Sequence, residues 1–263
     1  MKIATWNINS VRLRRNLVAR FLRIHQPDVL CLQETKTIND LFPKTTFAKL
    51  GYEHQAIHGQ KGYHGVAILS RVPFRDTHSK TLCDREDCRH VAAEFKNGLE
   101  LHNFYVPAGG DIPDPKLNPK FAHKLAFLRE MAHAFTNNPE RNKPMVLVGD
   151  LNVAPLPHDV WSHTQLLNVV SHTPLEVDLL NAAKASLDWV DVTREFVPHG
   201  EKAYSWWSYR AQDWKKSDRG RRLDHVWTSR GLKGAAKTHA ILKPLRGWKQ
   251  ASDHVPVLVE LDI

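Results

Sequence analysis

Met145-Val146-Leu147-Val148-Gly149-Asp150-Leu151-Asn152 is the stretch on which the fold of this chain turns. Four apolar residues follow Pro144 and break into Gly-Asp-x-Asn, the pattern of a short strand buried on both faces. A glycine near the end of such a strand lets its backbone approach a neighbour closely. Asp150 and Asn152, two apart, share one side in extended geometry. A carboxylate beside a carboxamide suits a hard cation, a water to be deprotonated, or a phosphate oxygen. Alone, Gly-Asp-x-Asn is the ordinary Asx-turn that closes many strands.

The rest of the chain repeats the event. Residues 2–8 end in Trp6-Asn7-Ile8-Asn9, and the apolar run 29–33 ends in Glu34. The run 99–106 carries Tyr105 at its tip, Asp224 opens 223–227, and Asp253-His254 precede the run 255–261. Polar residues at many strand tips imply one site assembled at a common edge of packed sheets. Oxygen donors without a Cys/His cluster select Mg²⁺ or Mn²⁺ over zinc.

Between these runs the pattern predicts two amphipathic helices. Ser10 is expected to cap one that buries Leu13, Leu17, Val18, Phe21 and Leu22. Asn118 and Pro119 sit at N-cap and first-turn positions of another, whose stripe is Phe121, Leu125, Leu128, Ala132 and Phe135. Strands are expected over 51–57, 65–70 and 205–210, and a hairpin of 90–95 with 99–106 turns at Asn97-Gly98. Residues 155–181 read as loop with one or two short helices.

The chain of 263 residues is 42% hydrophobic and 25% charged, ordinary for a soluble globular protein. It shows no repeat or linker, so a single domain over 1–263 is expected. Lys and Arg number 37 against 28 Asp and Glu, a net charge of +9. That excess favours a polyanionic partner, nucleic acid ahead of an anionic membrane. The start of the chain lacks a signal-like apolar region, and no apolar run of about 18 residues occurs, so a cytoplasmic chain without membrane contact is expected. A monomer is expected too, although nothing in the residues specifies the oligomeric state. Cys31, Cys83 and Cys88 are an odd set without a C-x-x-C pair, which argues against a disulfide framework. Cys83 and Cys88 near His78 and His90 invite a zinc reading, but the spacing fits no common site.

Trp-Asn-Ile-Asn-Ser, Leu-Gln-Glu-Thr-Lys, Gly-Gln-Lys-Gly-Tyr, Tyr-Val-Pro, Gly-Asp-Leu-Asn-Val-Ala-Pro, Ser-Trp-Trp-Ser-Tyr-Arg, Arg-Arg-Leu-Asp-His and Ser-Asp-His-Val-Pro-Val occur in that order. Together they closely resemble the exonuclease III family of apurinic/apyrimidinic endonucleases, over essentially the whole chain. Gly-Asp-x-Asn or Ser-Asp-His alone marks only the wider superfamily shared with DNase I and inositol-polyphosphate phosphatases. The resemblance implies an α/β fold, a four-layer sandwich of two packed mixed sheets flanked by helices. It also implies Mg²⁺-dependent cleavage of duplex DNA on the 5′ side of an abasic site, with 3′–5′ exonuclease and 3′-end-cleaning activity. Mn²⁺ is expected to substitute for Mg²⁺. The alternatives are a phosphoesterase on the same scaffold acting on RNA, inositol phosphates or a phospholipid head group, and a non-catalytic DNA-binding relative.

The resemblance further assigns roles. Glu34 resembles the principal metal ligand, with Asn7, Asp150, Asn152, Asp253 and His254 on the metal and phosphate side. Asp150 is the expected general base, Asn152 holds water or phosphate, and His254 oriented by Asp224 donates to the scissile phosphate. Tyr105 donates or, with a lowered pKa, moves a proton, so the identity of the base stays open. Trp206, Trp207, Tyr209 and Arg210 resemble the segment that enters the minor groove and walls the sugar pocket. The basic run with Lys215, Lys216, Arg219 and Arg221 is expected on DNA phosphates. Trp206 and Trp207 alternate, so one at most is a wall, and the resemblance puts Trp207 beside Arg221. Arg221 stands where related sequences often have an apolar residue, which bears on the balance between abasic-site and 3′-end activity.

Overall fold

The computed structural model describes residues 1–138 and 140–263. In chain order the first half contains β1 (Lys2–Asn7), α1 (Arg15–His25), β2 (Val29–Gln33), α2 (Lys44–Ala48), β3 (His54–His58), β4 (Val66–Ser70), β5 (Phe74–His78), β6 (His90–Phe95), β7 (Glu100–Tyr105) and α3 (Pro119–Thr136). The second half contains β8 (Met145–Asp150), α4 (His163–Leu166), α5 (Pro174–Ala185), β9 (Val190–Asp191), α6 (Val192–Phe196), β10 (Trp206–Trp207), α7 (Trp214–Ser217), β11 (Gly220–Arg221), β12 (Asp224–Thr228), β13 (Ala236–Ile241) and β14 (Val257–Leu261).

Alternation of side chains along each strand sorts the molecule into layers. On β1 and β2, Ile3, Val29 and Cys31 turn inward and meet Leu101, Val146, Val148 and Val226 from the opposite sheet. Their neighbours Ala4, Trp6, Leu30 and Leu32 turn outward against Val18, Phe21 and Leu22 of α1. Phe104 and Leu147 likewise face Phe127, Leu128, Met131 and Phe135 of α3 and Leu180 of α5. The result is the four-layer α/β sandwich.

Both sheets follow one plan, with strand orders β13-β14-β1-β2-β4-β3 and β5-β6-β7-β8-β12-β9. Each has a parallel pair at its centre, β1 with β2 and β7 with β8, flanked by antiparallel neighbours. The C-terminal tips of the central strands therefore lie at the same edge as the N-terminal starts of β12 and β14. That topology brings Asn7, Glu34, Tyr105, Asp150, Asp224 and Asp253-His254 together although they span almost the whole chain. Gly149 is needed for the layer to close: a Cβ there would lie 1.9 Å from the Phe104 carbonyl oxygen on the paired strand.

Several local expectations change. Ser10 does not cap a long helix; α1 starts at Arg15, and Leu13 is exposed outside it. Ser10 instead has a positive φ, and its carbonyl accepts from the Arg14 amide in a preceding turn. Asn118 caps α3 as expected, its side chain accepting from the Lys120 amide at 3.0 Å. The expected strand over 205–210 shrinks to Trp206–Trp207, paired with Gly220–Arg221. Within 155–181 the expected short helices are α4 and the start of α5, which begins at Pro174 behind a Thr173/Glu176 capping box and runs on to Ala185.

Candidate active site

The space between the sheets grows polar toward the shared edge. Gln33 donates to Thr5 at 2.9 Å and across the sandwich to Asn103 at 2.7 Å. Next comes Asn7, fully buried, whose single amide nitrogen donates to Glu34 at 2.9 Å and to Asp150 at 2.8 Å. Asn7 thus clamps two carboxylates from different sheets at a fixed separation.

Glu34 follows β2 in a left-handed backbone conformation, φ 50°. Its carboxylate accepts from the Tyr105 hydroxyl at 2.9 Å and pairs with Lys36 at 2.8 Å. Burial alone would raise its pKa. Lys36, the hydrogen bonds from Asn7 and Lys36, and the charge of His254 outweigh that and hold it below its ordinary value. Tyr105 is pushed the other way, well above its usual value, by burial and then by Glu34 and Asp150. A lowered Tyr105 pKa was one of the sequence expectations and is corrected: two neighbouring carboxylates oppose a phenolate, and Tyr105 stands as a neutral donor.

Asp150 and Asp224 are register partners across β8 and β12. Asp224 accepts from His254 Nδ1 at 2.8 Å, and His254 Nε2 lies 3.7 Å from Asp150. Burial, then Asp224 and Glu34, raise Asp150 above the ordinary carboxylate range, against the opposing pull of His254 and Asn7. Burial opposes charge on His254, but Asp224 and Asp150 overcome it and raise its pKa, so the imidazole stands protonated. Asn152, φ 54°, donates its amide to the Val106 carbonyl at 2.9 Å and to Asp150 at 3.1 Å, and its backbone N–H to Asp150 at 3.0 Å. Asp253 accepts from Asn9 at 3.1 Å and from the Trp206 indole at 3.0 Å.

Four carboxylates therefore converge, Glu34, Asp150, Asp224 and Asp253. Among the described residues, the cations in direct contact with them are Lys36 and His254. Asp224 Oδ1 is buried without a partner. Ligand atoms of Asp150, Asp224 and His254 lie within 4.8 Å of one another. A surplus of buried negative charge presented through oxygen fits a hard divalent cation, which would sit with Glu34 and Asn7 on one side and Asp150 on the other. The zinc reading on Cys83 and Cys88 does not hold: His78 groups instead with Glu100 and His102, without either cysteine. There the Lys80 amide donates to His90 Nδ1 at 3.0 Å, and His90 Nε2 meets His102 Nδ1 at 3.1 Å.

A cavity of about 610 Å³ opens over this floor, walled by Trp161, Trp206, Arg210, Arg219 and Arg221. Arg221 stacks over Trp206 at 5.3 Å and Arg219 over Trp161 at 4.6 Å. A second cavity of about 600 Å³ lies on the other side of Glu34, with Lys36, Tyr63, Arg89 and Lys120 along it. The two make one basic groove across the carboxylates.

The aromatic wall is Trp206, and the expectation for Trp207 is corrected. Trp207 is 1% exposed, packs on Trp214 at 5.4 Å, and donates its indole N–H to Asp218 at 3.1 Å. The outward register of the β10–β11 ladder pairs Trp206, not Trp207, with Arg221. Tyr209 is tied by its hydroxyl to the Ala251 carbonyl and to Arg14, outside the cavity lining. Lys215 and Lys216 lie exposed on α7, also outside it. Sequence reasoning missed Trp161, Arg89 and Lys124. Lys124 is fully buried, pairs with Glu176, and donates to the Asn152 carbonyl at 2.7 Å, fixing the turn after β8.

Comparison with known proteins agrees with this architecture. The profile of the endonuclease/exonuclease/phosphatase family matches residues 4–254. Exodeoxyribonuclease III of Haemophilus influenzae is 27% identical, with 99% of each chain covered. The zebrafish (Danio rerio) DNA repair nuclease APEX1 is 30% identical over 100% of this chain and 83% of the relative. Among solved structures, a 3′ phosphatase from Neisseria bound to a product DNA hairpin superposes with TM-score 0.92 at 30% identity, covering both chains fully. An AP endonuclease from Archaeoglobus fulgidus gives 0.90 at 32%, again over both full chains.

Proposed function

Because the chain belongs to the endonuclease/exonuclease/phosphatase family, a family of metal-dependent phosphodiester hydrolases, we propose that it is a Mg²⁺-dependent DNA repair nuclease. It cleaves duplex DNA 5′ to abasic sites and trims or cleans 3′ ends, acting as one catalytic domain and as a cytoplasmic monomer. The observation that carries this reading is the unbalanced carboxylate cluster at the floor of a basic groove, one half of which is walled by stacked indole–guanidinium pairs. Lys and Arg answer phosphate charge, and flat aromatic rings answer an unstacked sugar or base. An inositol phosphate or lipid head group needs no groove on both sides of Glu34.

Glu34, with Asn7 and Asp150 beside it, would hold Mg²⁺ or its substitute Mn²⁺, which when bound would supply neutralisation of phosphate charge and stabilisation of a departing 3′ oxygen. Asp150, its pKa raised toward the operating range, accepts a proton from the attacking water. Asn152 and Lys124 hold that carboxylate and its turn in place. Protonated His254, oriented by Asp224, donates to a phosphate oxygen, and Tyr105 keeps Glu34 from rotating. The test is one gel comparing a duplex with a single abasic site and a duplex with a recessed 3′ end, each with Mg²⁺ and with chelator. Cleavage of both that the chelator stops is expected; no metal-dependent cleavage of either rejects this function.

A further inference from the structure

Arg221 is a half-buried cation with no acid in direct contact among the described residues. Its Nη1 donates to two neutral groups, the Val170 carbonyl at 2.9 Å and the Ser171 hydroxyl at 2.6 Å. Its Nε is buried with no partner at all. The carboxylate of Glu176, beyond Ser171, is already engaged by Lys124 and by the amides of Ser171 and Thr173. The cross-strand pairing with Trp206 fixes the guanidinium plane over the indole, and the Trp206 ring is itself held by its bond to Asp253. This partly desolvated guanidinium with an orphaned N–H lines the cavity that holds Asp150 and His254, and a bound anion would supply the missing partner.

We propose that Arg221, tethered by Ser171 and stacked on Trp206, is a specificity-determining residue that selects terminal 3′ phosphomonoesters over abasic sugars. This rests on the nuclease reading above. In an abasic duplex the scissile phosphate is a diester that continues into a neutral sugar on the cavity side. In a 3′-phosphate end the same position holds an unesterified oxygen and a second negative charge, with its last pKa near about 6. The planar fork of an arginine matches such oxygens, whereas a bare sugar leaves the guanidinium desolvated and unanswered. Arg219 on Trp161 adds a second positive charge to the same wall. In the favoured reaction water attacks phosphorus and the P–O3′ bond breaks. One water proton passes to Asp150 and on to solvent, and a solvent proton is taken up by the departing 3′ oxygen, giving a 3′-hydroxyl end and inorganic phosphate.

The experiment measures kcat/KM on a duplex with a recessed 3′-phosphate and on a duplex with an internal abasic site. Arg221→Met should lower the first by about ten- to a hundred-fold, the scale of a lost charge-assisted hydrogen bond, and the second by clearly less, so that the ratio of the two kcat/KM values falls by at least about fivefold. Ser171→Ala should shift the ratio the same way by a few-fold and stands in if Arg221→Met does not fold. Inhibition by inorganic phosphate should weaken in parallel. Wild type acting on both duplexes, with a ratio that neither substitution moves, overturns the inference and leaves the nuclease function intact. Wild type acting on neither rejects that function first.

Discussion

One residue separates Arg222 from Asp224, yet the two belong to buried charge clusters built on opposite principles. Arg222 is fully buried and grips Asp159 through two hydrogen bonds, 2.8 and 2.9 Å, and Asp191 at 2.8 Å. Arg194 closes on Asp159 from the other side. Two guanidiniums answer two carboxylates. Burial opposes the charge on each partner, but the pairing outweighs it, holding Asp159 and Asp191 below their ordinary pKa and raising Arg222 above its own. Around Asp224 the acids outnumber their cations, one oxygen has no partner, and Asp150 is raised instead of lowered. A cluster that satisfies itself ties segments together; one left unbalanced is poised for a ligand that the chain does not supply.

The sharpest way to break this contrast is Asp150→Asn. Cleavage should fall by about 10²–10⁴-fold or more, while the melting temperature does not drop, because removing one of several crowded acids relieves repulsion. Cleavage within a few-fold of wild type would remove Asp150 from the chemistry. Arg222→Met should do the reverse: it strands two buried carboxylates and costs about 3–5 kcal/mol, a melting shift on the order of 10 °C. Activity per folded molecule should stay within about tenfold; a stable but inactive protein would merge the two clusters into one functional unit.

Glu34→Gln separates ligand from scaffold. The amide keeps the shape but loses the charge, so half-saturating Mg²⁺ should rise by at least about tenfold and excess metal should restore part of the rate. A defect insensitive to metal concentration would assign Glu34 a purely structural role. The smallest effect is in acid. Asp159 and Asp191 have folded pKa values depressed from 3.8, so their stabilisation is full above that value and is lost as pH falls through the folded pKa. Urea unfolding from pH 7 to 3 should therefore show the gap between wild type and Arg222→Met narrowing below about pH 4. A gap that widens in acid would contradict the assignment of these pKa shifts.

Much of this was legible in the residues. Apolar runs with polar tips marked the central strands because both faces of β1, β2, β7 and β8 are covered, leaving a continuous hydrophobic signal. Edge strands β5 and β13 carried no such signal, since β5 is largely exposed, β13 is only partly buried, and both read as mixed polar sequence. Site acids were visible one by one. Lys124, Trp161 and Ser171 were not, because nothing local distinguishes a surface lysine or serine from one folded under a turn.

Alternation and punctuation by themselves determined which central strands exist and that acids, amides and a histidine stand at their tips. They are properties of neighbouring residues, and neighbouring residues are what a sequence states. Tertiary structure alone decided that Trp206 and not Trp207 faces the cavity, that Arg221 has no acid while Arg222 has two, and that Tyr105 stays neutral. Those outcomes depend on which distant groups arrive within hydrogen-bonding distance once water is excluded, and the energy of a buried charge is set by that company.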